Sequence, residues 1–168
     1  DILYIDTVQC SAMIQVNLPI GQKLPAYCSA LGKAILAFLP EERVRELYGG
    51  ADLERFTPNT LSSCDALAGE LAAVRLLGFA RDQEESHLQL ACLGVPVFGA
   101  DGRIAAGISL SYPCFRHPDL KQAERLLLSP LREAGIAVSK ALGFKGSYPG
   151  RSQKNDDQRN TRKHPLKE

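Results

Sequence analysis

The chain has almost no net charge, no paired-cysteine motif, few histidines and no apolar run of membrane length, and each absence removes a class of function. Twenty Lys and Arg stand against 19 Asp and Glu, and a net charge of +1 gives the body no field with which to hold a polyanion. Five cysteines fall at positions 10, 28, 64, 92 and 114. An odd number at irregular spacing, without a Cys-x-x-Cys pair, is not a disulfide framework. No grouping of histidine, cysteine and carboxylate residues would converge enough ligands on a metal, so neither metal nor cofactor is expected. Without a signal peptide or a transmembrane run, a reducing cytoplasm is the expected compartment and no membrane partner is expected.

What is present reads as one globular domain with a short appendage. The 168 residues suffice for a single hydrophobic core, and the apolar share of 45% and charged share of 23% are ordinary for such a domain. The charge is uneven: residues 145–168 carry seven basic and three acidic side chains, residues 1–144 carry 13 and 16. Past Phe144 the polar composition cannot bury enough surface to offset its ordering entropy, so residues 145–168 are expected to form a basic, disordered tail. Its interspersed acids argue for a solvated segment rather than a nucleic-acid contact. The chain enters a strand-like Ile2-Leu3-Tyr4-Ile5 at once, without an initiator Met, as expected for a fragment of a longer protein.

The apolar periodicity predicts strands at Ile2–Val8 and Ala12–Leu18 joined around Gln9-Cys10-Ser11, then a loop broken by Pro19, Gly21 and Pro25. A helix is expected from Ser29 to Phe38 with Ser29 as N-cap, and a second from Glu41 to Tyr48 after Pro40. Thr57-Pro58-Asn59-Thr60 reads as a loop. Asp65–Leu77 has Leu67, Leu71 and Val74 at helical spacing before Gly78. Leu120–Leu142 reads as a long amphipathic helix kinked at Pro130. The order hairpin, helices, hairpin, long helix predicts an α+β domain with a mostly antiparallel sheet.

The segment from about Leu88 to Tyr112 carries the most information. Asp101-Gly102 is a signal for a two-residue turn, which pairs Ala100 with Arg103 and, counting outward, Cys92 with Ser111, with Ser109 on the diagonal. Alternation then gives two unlike faces. Leu93, Val95, Val97, Ile108, Leu110 and Tyr112 form an ordinary core face. Cys92, Gly94, Pro96, Gly107, Ser109 and Ser111 form a small, lightly polar one that suits the floor of a pocket.

Three further features bear on chemistry. Cys92 as a nucleophile, in a thiol enzyme reducing a small metabolite, would need a base; His87, five residues away, falls on the opposite strand face unless a bulge intervenes. Cys28 and Cys114 would be resolving thiols only if the fold brought them close. Cys92 is better read as a pocket-lining thiol without turnover. Asp82-Gln83-Glu84-Glu85 suits a solvated turn, except that Asp82 ends a strand-like segment and is placed to reach the pocket. Ser29-Ala30-Leu31-Gly32-Lys33-Ala34 lacks the glycine spacing of a phosphate loop. Its small residues either present helix-end amides to a small carboxylate or, through Gly32, allow close helix packing.

From here the chain resembles the effector-binding domain of the IclR family of bacterial transcriptional regulators. The resemblance rests on Leu24-Pro25-Ala26-Tyr27-Cys28-Ser29-Ala30-Leu31-Gly32-Lys33-Ala34, Thr57-Pro58-Asn59-Thr60, Leu71 to Glu85, Cys92 to Phe98, Asp101-Gly102-Arg103 and Ile108-Ser109-Leu110-Ser111. It spans roughly residues 1–144 in order. It implies a GAF-like (profilin-like) fold with a six-stranded antiparallel sheet flanked by helices, and a small carboxylate effector such as a sugar, keto or aromatic acid. It also implies no enzyme activity, a homodimer or homotetramer, and operator DNA bound only through a preceding winged helix-turn-helix domain absent from this chain. The effector contacts it implies fall on Ala30 and Leu31, Asp82, the main chain at Leu90, Cys92, Ser109 and Ser111. Two departures are notable. Many members have glycine near the turn where this chain has His87-Leu88-Gln89, which implies a bulkier pocket mouth with an additional amide. Gly94 stands where alanine is common, which implies more room on the floor.

Overall fold

The computed structural model describes residues 1–9, 16–50 and 52–150. At its centre, β4 (Leu90–Phe98) and β5 (Ile104–Pro113) form the expected antiparallel hairpin, with Cys92 opposite Ser111 and Gly94 opposite Ser109. The turn differs from the two-residue form. Gly99 N–H donates to the Arg103 carbonyl at 2.9 Å and Gly102, at φ +76°, donates to the Gly99 carbonyl at 3.0 Å. Three residues therefore close the loop, the last of them left-handed, and Ala100 does not pair with Arg103. A bulge then restores the count: Phe98 faces Ile104 while Val97 faces Ala106, which leaves Ala105 as the additional residue. Two departures of one residue each cancel, so the expected register holds from Val97 outward.

β3 (Ala80–Gln83) pairs antiparallel with the other side of β4, placing Asp82 opposite Cys92, in a sheet of order β3-β4-β5. The bulky face packs under α4 (Leu120–Ala141), which runs through Pro130 and brings Leu131 against Leu93, Val95 and Tyr112. On the other face lies α1 (Ala30–Leu36), capped by the Ser29 hydroxyl, which accepts from Gly32 N–H at 3.0 Å. α2 (Glu41–Tyr48) and α3 (Cys64–Leu77) complete this side. α3 begins at its Ser63 cap and buries the expected stripe of Leu67, Leu71 and Val74.

Two expectations need correction. Among the described residues there is no six-stranded sheet: beside β3-β4-β5 there is a two-stranded ladder of β1 (Ile2–Leu3) and β2 (Lys23–Leu24). Ile2 pairs with Leu24, and the ladder extends through Tyr4 N–H to the Gln22 carbonyl and Gly21 N–H to the Tyr4 carbonyl, at 3.0 and 2.8 Å. Residues 16–18 are not strand, and the remainder of the expected Ala12–Leu18 strand lies outside the described residues. Alternation was real, since Ile2 and Tyr4 are buried while Leu3 and Ile5 are exposed, but the partner is the Pro- and Gly-punctuated segment read as a loop.

The second correction concerns the start of the tail. Residues 145–150 pack on the body, and 151–168 lie outside the described residues. Tyr148 is buried; its hydroxyl donates to the Pro96 carbonyl at 2.5 Å and its ring meets Phe98 edge-on. One large aromatic offsets the ordering of several polar neighbours, which an average over the segment conceals. Tyr148→Phe keeps the ring and strands the Pro96 carbonyl, so urea unfolding should show a loss of about 1–1.5 kcal/mol with an unchanged slope.

Candidate functional site

The small face of the hairpin is not empty. A Cβ on Gly94 would meet the Ala30 carbonyl oxygen at 2.3 Å, and one on Gly107 would meet Leu31 Cδ1 at 2.8 Å. Glycine there lets the first turn of α1 rest directly on the sheet. Gly94 thus adds no room to a pocket floor, because α1 backbone fills the space. Only the outer half of the face, with Cys92, Ser109 and Ser111, remains open.

That half opens into a cavity of about 170 Å³. Every residue expected at the site lines it: Ala30 and Leu31 from α1, Asp82 from β3, Leu90 and Cys92 from β4, and Ser109 and Ser111 from β5. The cap at Ser29 satisfies Gly32, and Lys33 N–H bonds the Ser29 carbonyl, so Ala30 and Leu31 are the first-turn amides without an intrahelical acceptor. The sequence reading missed Tyr4, Gln22 and Leu24, which the β1–β2 ladder brings to the opposite wall, and Ser86. The alternation of Ile2-Leu3-Tyr4-Ile5 could have marked Tyr4 as inward-facing.

Asp82 is buried, and its carboxylate accepts from Glu85 N–H at 2.7 Å and from the Ser86 hydroxyl at 2.8 Å. Burial raises its pKa against these bonds and against Lys33, which lower it. The turn it starts is not simply solvated, because Glu85 is buried too, with its carboxylate on Lys33 Nζ at 2.5 and 2.7 Å. Lys33, wholly buried on α1, also lies 3.5 Å from Glu70. The Thr57–Thr60 loop clamps the same turn. The Thr57 and Thr60 hydroxyls donate to the Glu84 and Glu85 carbonyls, each at 2.6 Å, and the Asn59 side chain donates to the Gln83 carbonyl at 3.2 Å. Under this clamp Glu84 and Gln89 hold φ of +60° and +65°, left-handed backbone that only glycine adopts without strain.

His87 sits in this β3–β4 loop rather than on a strand, so strand-face counting does not apply to it, and it lines the cavity. Gln89 does not line it, so of the His87-Leu88-Gln89 stretch the histidine, and not the expected amide, reaches the cavity. Cys92 faces Ser111, Sγ to Oγ 3.2 Å, and burial, then the Asp82 charge, push its thiol up to about 12. That is the opposite of an activated nucleophile. The Cys28 thiol too is pushed up to about 12, chiefly by burial. Among the described residues no group of three or more His, Cys, Asp or Glu side chains could hold a metal ion, and no helix is long and apolar enough to cross a membrane.

Fold and cavity together define a small-ligand domain: an α+β layer structure with a single face of its hairpin left partly open beneath a helix end. The chain belongs to the family described as bacterial transcriptional regulator IclR C-terminal, which it matches over residues 1–140. It is 39% identical over 137 residues to the DNA-binding transcriptional repressor YiaJ of Escherichia coli K12, covering 80% of this chain and 48% of that protein. The crystal structure of Thermotoga maritima IclR superposes with a TM-score of 0.78 at 33% identity, covering 84% of this chain and 57% of that one. The inducer-binding domain of the PobR transcription factor from Acinetobacter, a double mutant in complex with 3-hydroxybenzoic acid, superposes with a TM-score of 0.65 at 27% identity, covering 72% and 69%. The chain spans about half the length of the curated relatives it matches.

Proposed function

We propose that this domain senses a small organic acid for a regulator of carbon catabolism. The observation that carries the reading is the convergence of Ala30, Leu31, Asp82, Leu90, Cys92, Ser109 and Ser111 on one cavity. A carboxylate is held by the Ala30 and Leu31 amides and the Ser109 and Ser111 hydroxyls. The Asp82 carboxylate accepts from ligand hydroxyls, which favours a hydroxylated acid over a plain aliphatic one. The hydroxybenzoic acid complex of the PobR domain supports an acid as the class of ligand. Operator DNA is bound through a winged helix-turn-helix domain of the full-length protein, as a homodimer or homotetramer, and the effector acts by favouring one arrangement of that assembly.

A thermal-shift screen of sugar, keto and aromatic acids identifies the ligand, since one that binds only the folded state stabilises by mass action. With the best acid, Ser109→Ala combined with Ser111→Ala should weaken binding about ten- to a hundredfold by calorimetry while leaving the melting temperature of the free domain nearly unchanged. Unchanged affinity in this double variant refutes the assignment.

A further inference from the structure

Four tyrosines are buried among the described residues, each 9% exposed or less. A buried hydroxyl ordinarily finds a partner within the protein. Tyr27 donates to the Glu54 carbonyl at 2.7 Å, and Tyr148 donates to the Pro96 carbonyl at 2.5 Å. Tyr112 belongs to the bulky face of the sheet, with its ring edge-on to His117. Tyr4 is the one of the four that lines the cavity, and among the described residues its hydroxyl has no hydrogen-bond partner. The rest of Tyr4 is held firmly. Its N–H donates to the Gln22 carbonyl at 3.0 Å, its carbonyl accepts from Gly21 N–H at 2.8 Å, and its ring belongs to the core cluster of Ile2, Tyr27 and Cys28. Burial, then the neighbouring Cys92 and Asp82, push the hydroxyl up to about 12, so it keeps its proton and can donate it. Cys92 and Asp82 stand opposite each other on β4 and β3, so the Tyr4 hydroxyl looks from the β1–β2 wall toward the sheet. Neither of their neighbours has a hydrogen to offer it: Ser86 donates to Asp82 at 2.8 Å, and the Cys92 thiol bonds Ser111 at 3.2 Å.

We propose that Tyr4 is a specificity-determining residue of this cavity: its hydroxyl donates to the oxygen of a ligand hydroxyl whose hydrogen goes to Asp82. The site then takes a hydroxy acid in preference to the oxo acid or the deoxy acid of the same skeleton. The proposal rests on the organic-acid reading above and narrows the class of acid. An ionised carboxylate only accepts, so a ligand hydroxyl bonded to Asp82 still has oxygen lone pairs to satisfy, and Tyr4 brings the donor for them. A carbonyl in the same place has no hydrogen for Asp82 and sets two acceptors against each other. A methylene leaves both Asp82 and Tyr4 without a partner in a desolvated site, which is the costlier way to fill it.

The test is calorimetric titration of the wild-type chain and of Tyr4→Phe with lactate, pyruvate and propionate, and with 3-hydroxybenzoate and benzoate. In the wild type a hydroxy acid should bind about tenfold or more tightly than its oxo or deoxy counterpart. Tyr4→Phe keeps the ring and removes only the donor, so it should weaken the hydroxy acid about tenfold and leave its deoxy counterpart unchanged. A second readout needs no ligand. Since nothing in the fold uses this hydroxyl, Tyr4→Phe should leave the melting temperature of the free domain unchanged or raise it, whereas Tyr148→Phe lowers it. An oxo or deoxy acid bound as tightly as its hydroxy counterpart overturns the proposal. So does an equal loss of hydroxy and deoxy acid in Tyr4→Phe, which would make Tyr4 a wall and not a contact, and so does a fall in the melting temperature of the free variant to match Tyr148→Phe. In each of these cases an acid that still binds leaves the organic-acid reading standing. If none of the five acids binds, nor any acid of the wider screen, that reading fails and the role of Tyr4 with it.

Discussion

Replacing Lys33 by methionine is expected to destabilise the domain by about 3–5 kcal/mol at neutral pH, because it removes the cation and leaves the anion behind. Lys33 and Glu85 are 1% and 9% exposed at the side chain, and the ammonium touches both carboxylate oxygens. Methionine fills the space of the lysine stem, so the loss reports the stranded charge and not a cavity. Its pH dependence has a defined sign. Burial, the largest influence on Glu85, raises its pKa, Lys33 lowers it and Asp82 raises it. Without Lys33 the two raising influences are opposed by no more than a long bond from Gln83 N–H, at 3.5 Å. A carboxyl whose folded pKa exceeds the unfolded value of about 4.3 favours the fold when protonated. That contribution is complete below the unfolded value and is lost as pH rises through the folded one. The deficit of Lys33→Met relative to wild type should therefore shrink between about pH 8 and about pH 5, as urea unfolding at the two values would show. A deficit independent of pH would mean that Glu85 does not carry it. Lys33→Met combined with Glu85→Met should recover most of the stability, since a buried pair is replaced by apolar side chains of similar size. Because the Glu85 backbone is also what Thr60 holds, partial loss of the pair loosens the loop that carries Ser86 and His87 into the cavity.

That pair also marks where the sequence stops being legible. Lysine and glutamate 52 residues apart carry no local signature, and a lysine on a helix is ordinarily read as solvated. What was legible was local. The α2 bounds follow from Pro40 and Gly49, the end of α3 from Gly78, and the register of β4 with β5 from a turn dipeptide and an alternation of large and small side chains, whereas the Ser63 cap that starts α3 at Cys64 was not read and the helix was expected from Asp65. The convergence of Asp82, Cys92, Ser109 and Ser111 followed from that register together with the family resemblance. The misreadings share a different cause. Gly94 and Gly107 announce that something approaches closely, but a missing side chain does not say whether a ligand or a helix takes the space. Tyr148 vanished into the polar average of its neighbours, and β2 was hidden among Pro19, Gly21 and Pro25 because a two-residue strand needs no propensity of its own.

The same glycine-to-alanine change should have opposite effects at two helices. Gly32 lies in the first turn of α1 against the 3₁₀ turn Ala26–Cys28, and a Cβ there would stand 2.1 Å from the Ala26 carbonyl oxygen and 2.4 Å from its Cα. These are backbone atoms of a buried residue that cannot rotate away, so α1 and the 3₁₀ turn must separate. Gly32→Ala should cost about 3 kcal/mol, at the upper end for overpacking by a single methyl, despite the better helix propensity of alanine. Gly69, exposed in α3, has nothing within 4 Å of the same added atom. There alanine should stabilise by about 0.5–1 kcal/mol, through helix propensity and a smaller unfolded-state entropy. The two variants measured side by side by urea unfolding separate the competing readings of the Ser29–Ala34 segment. If Gly32 were kept only to leave helix-end amides open for a ligand, Gly32→Ala would weaken acid binding while sparing the free domain. Close packing predicts the reverse order: the free domain loses stability first. Binding then falls because Ala30 and Leu31, carried on the displaced turn, no longer stand over Cys92, Ser109 and Ser111.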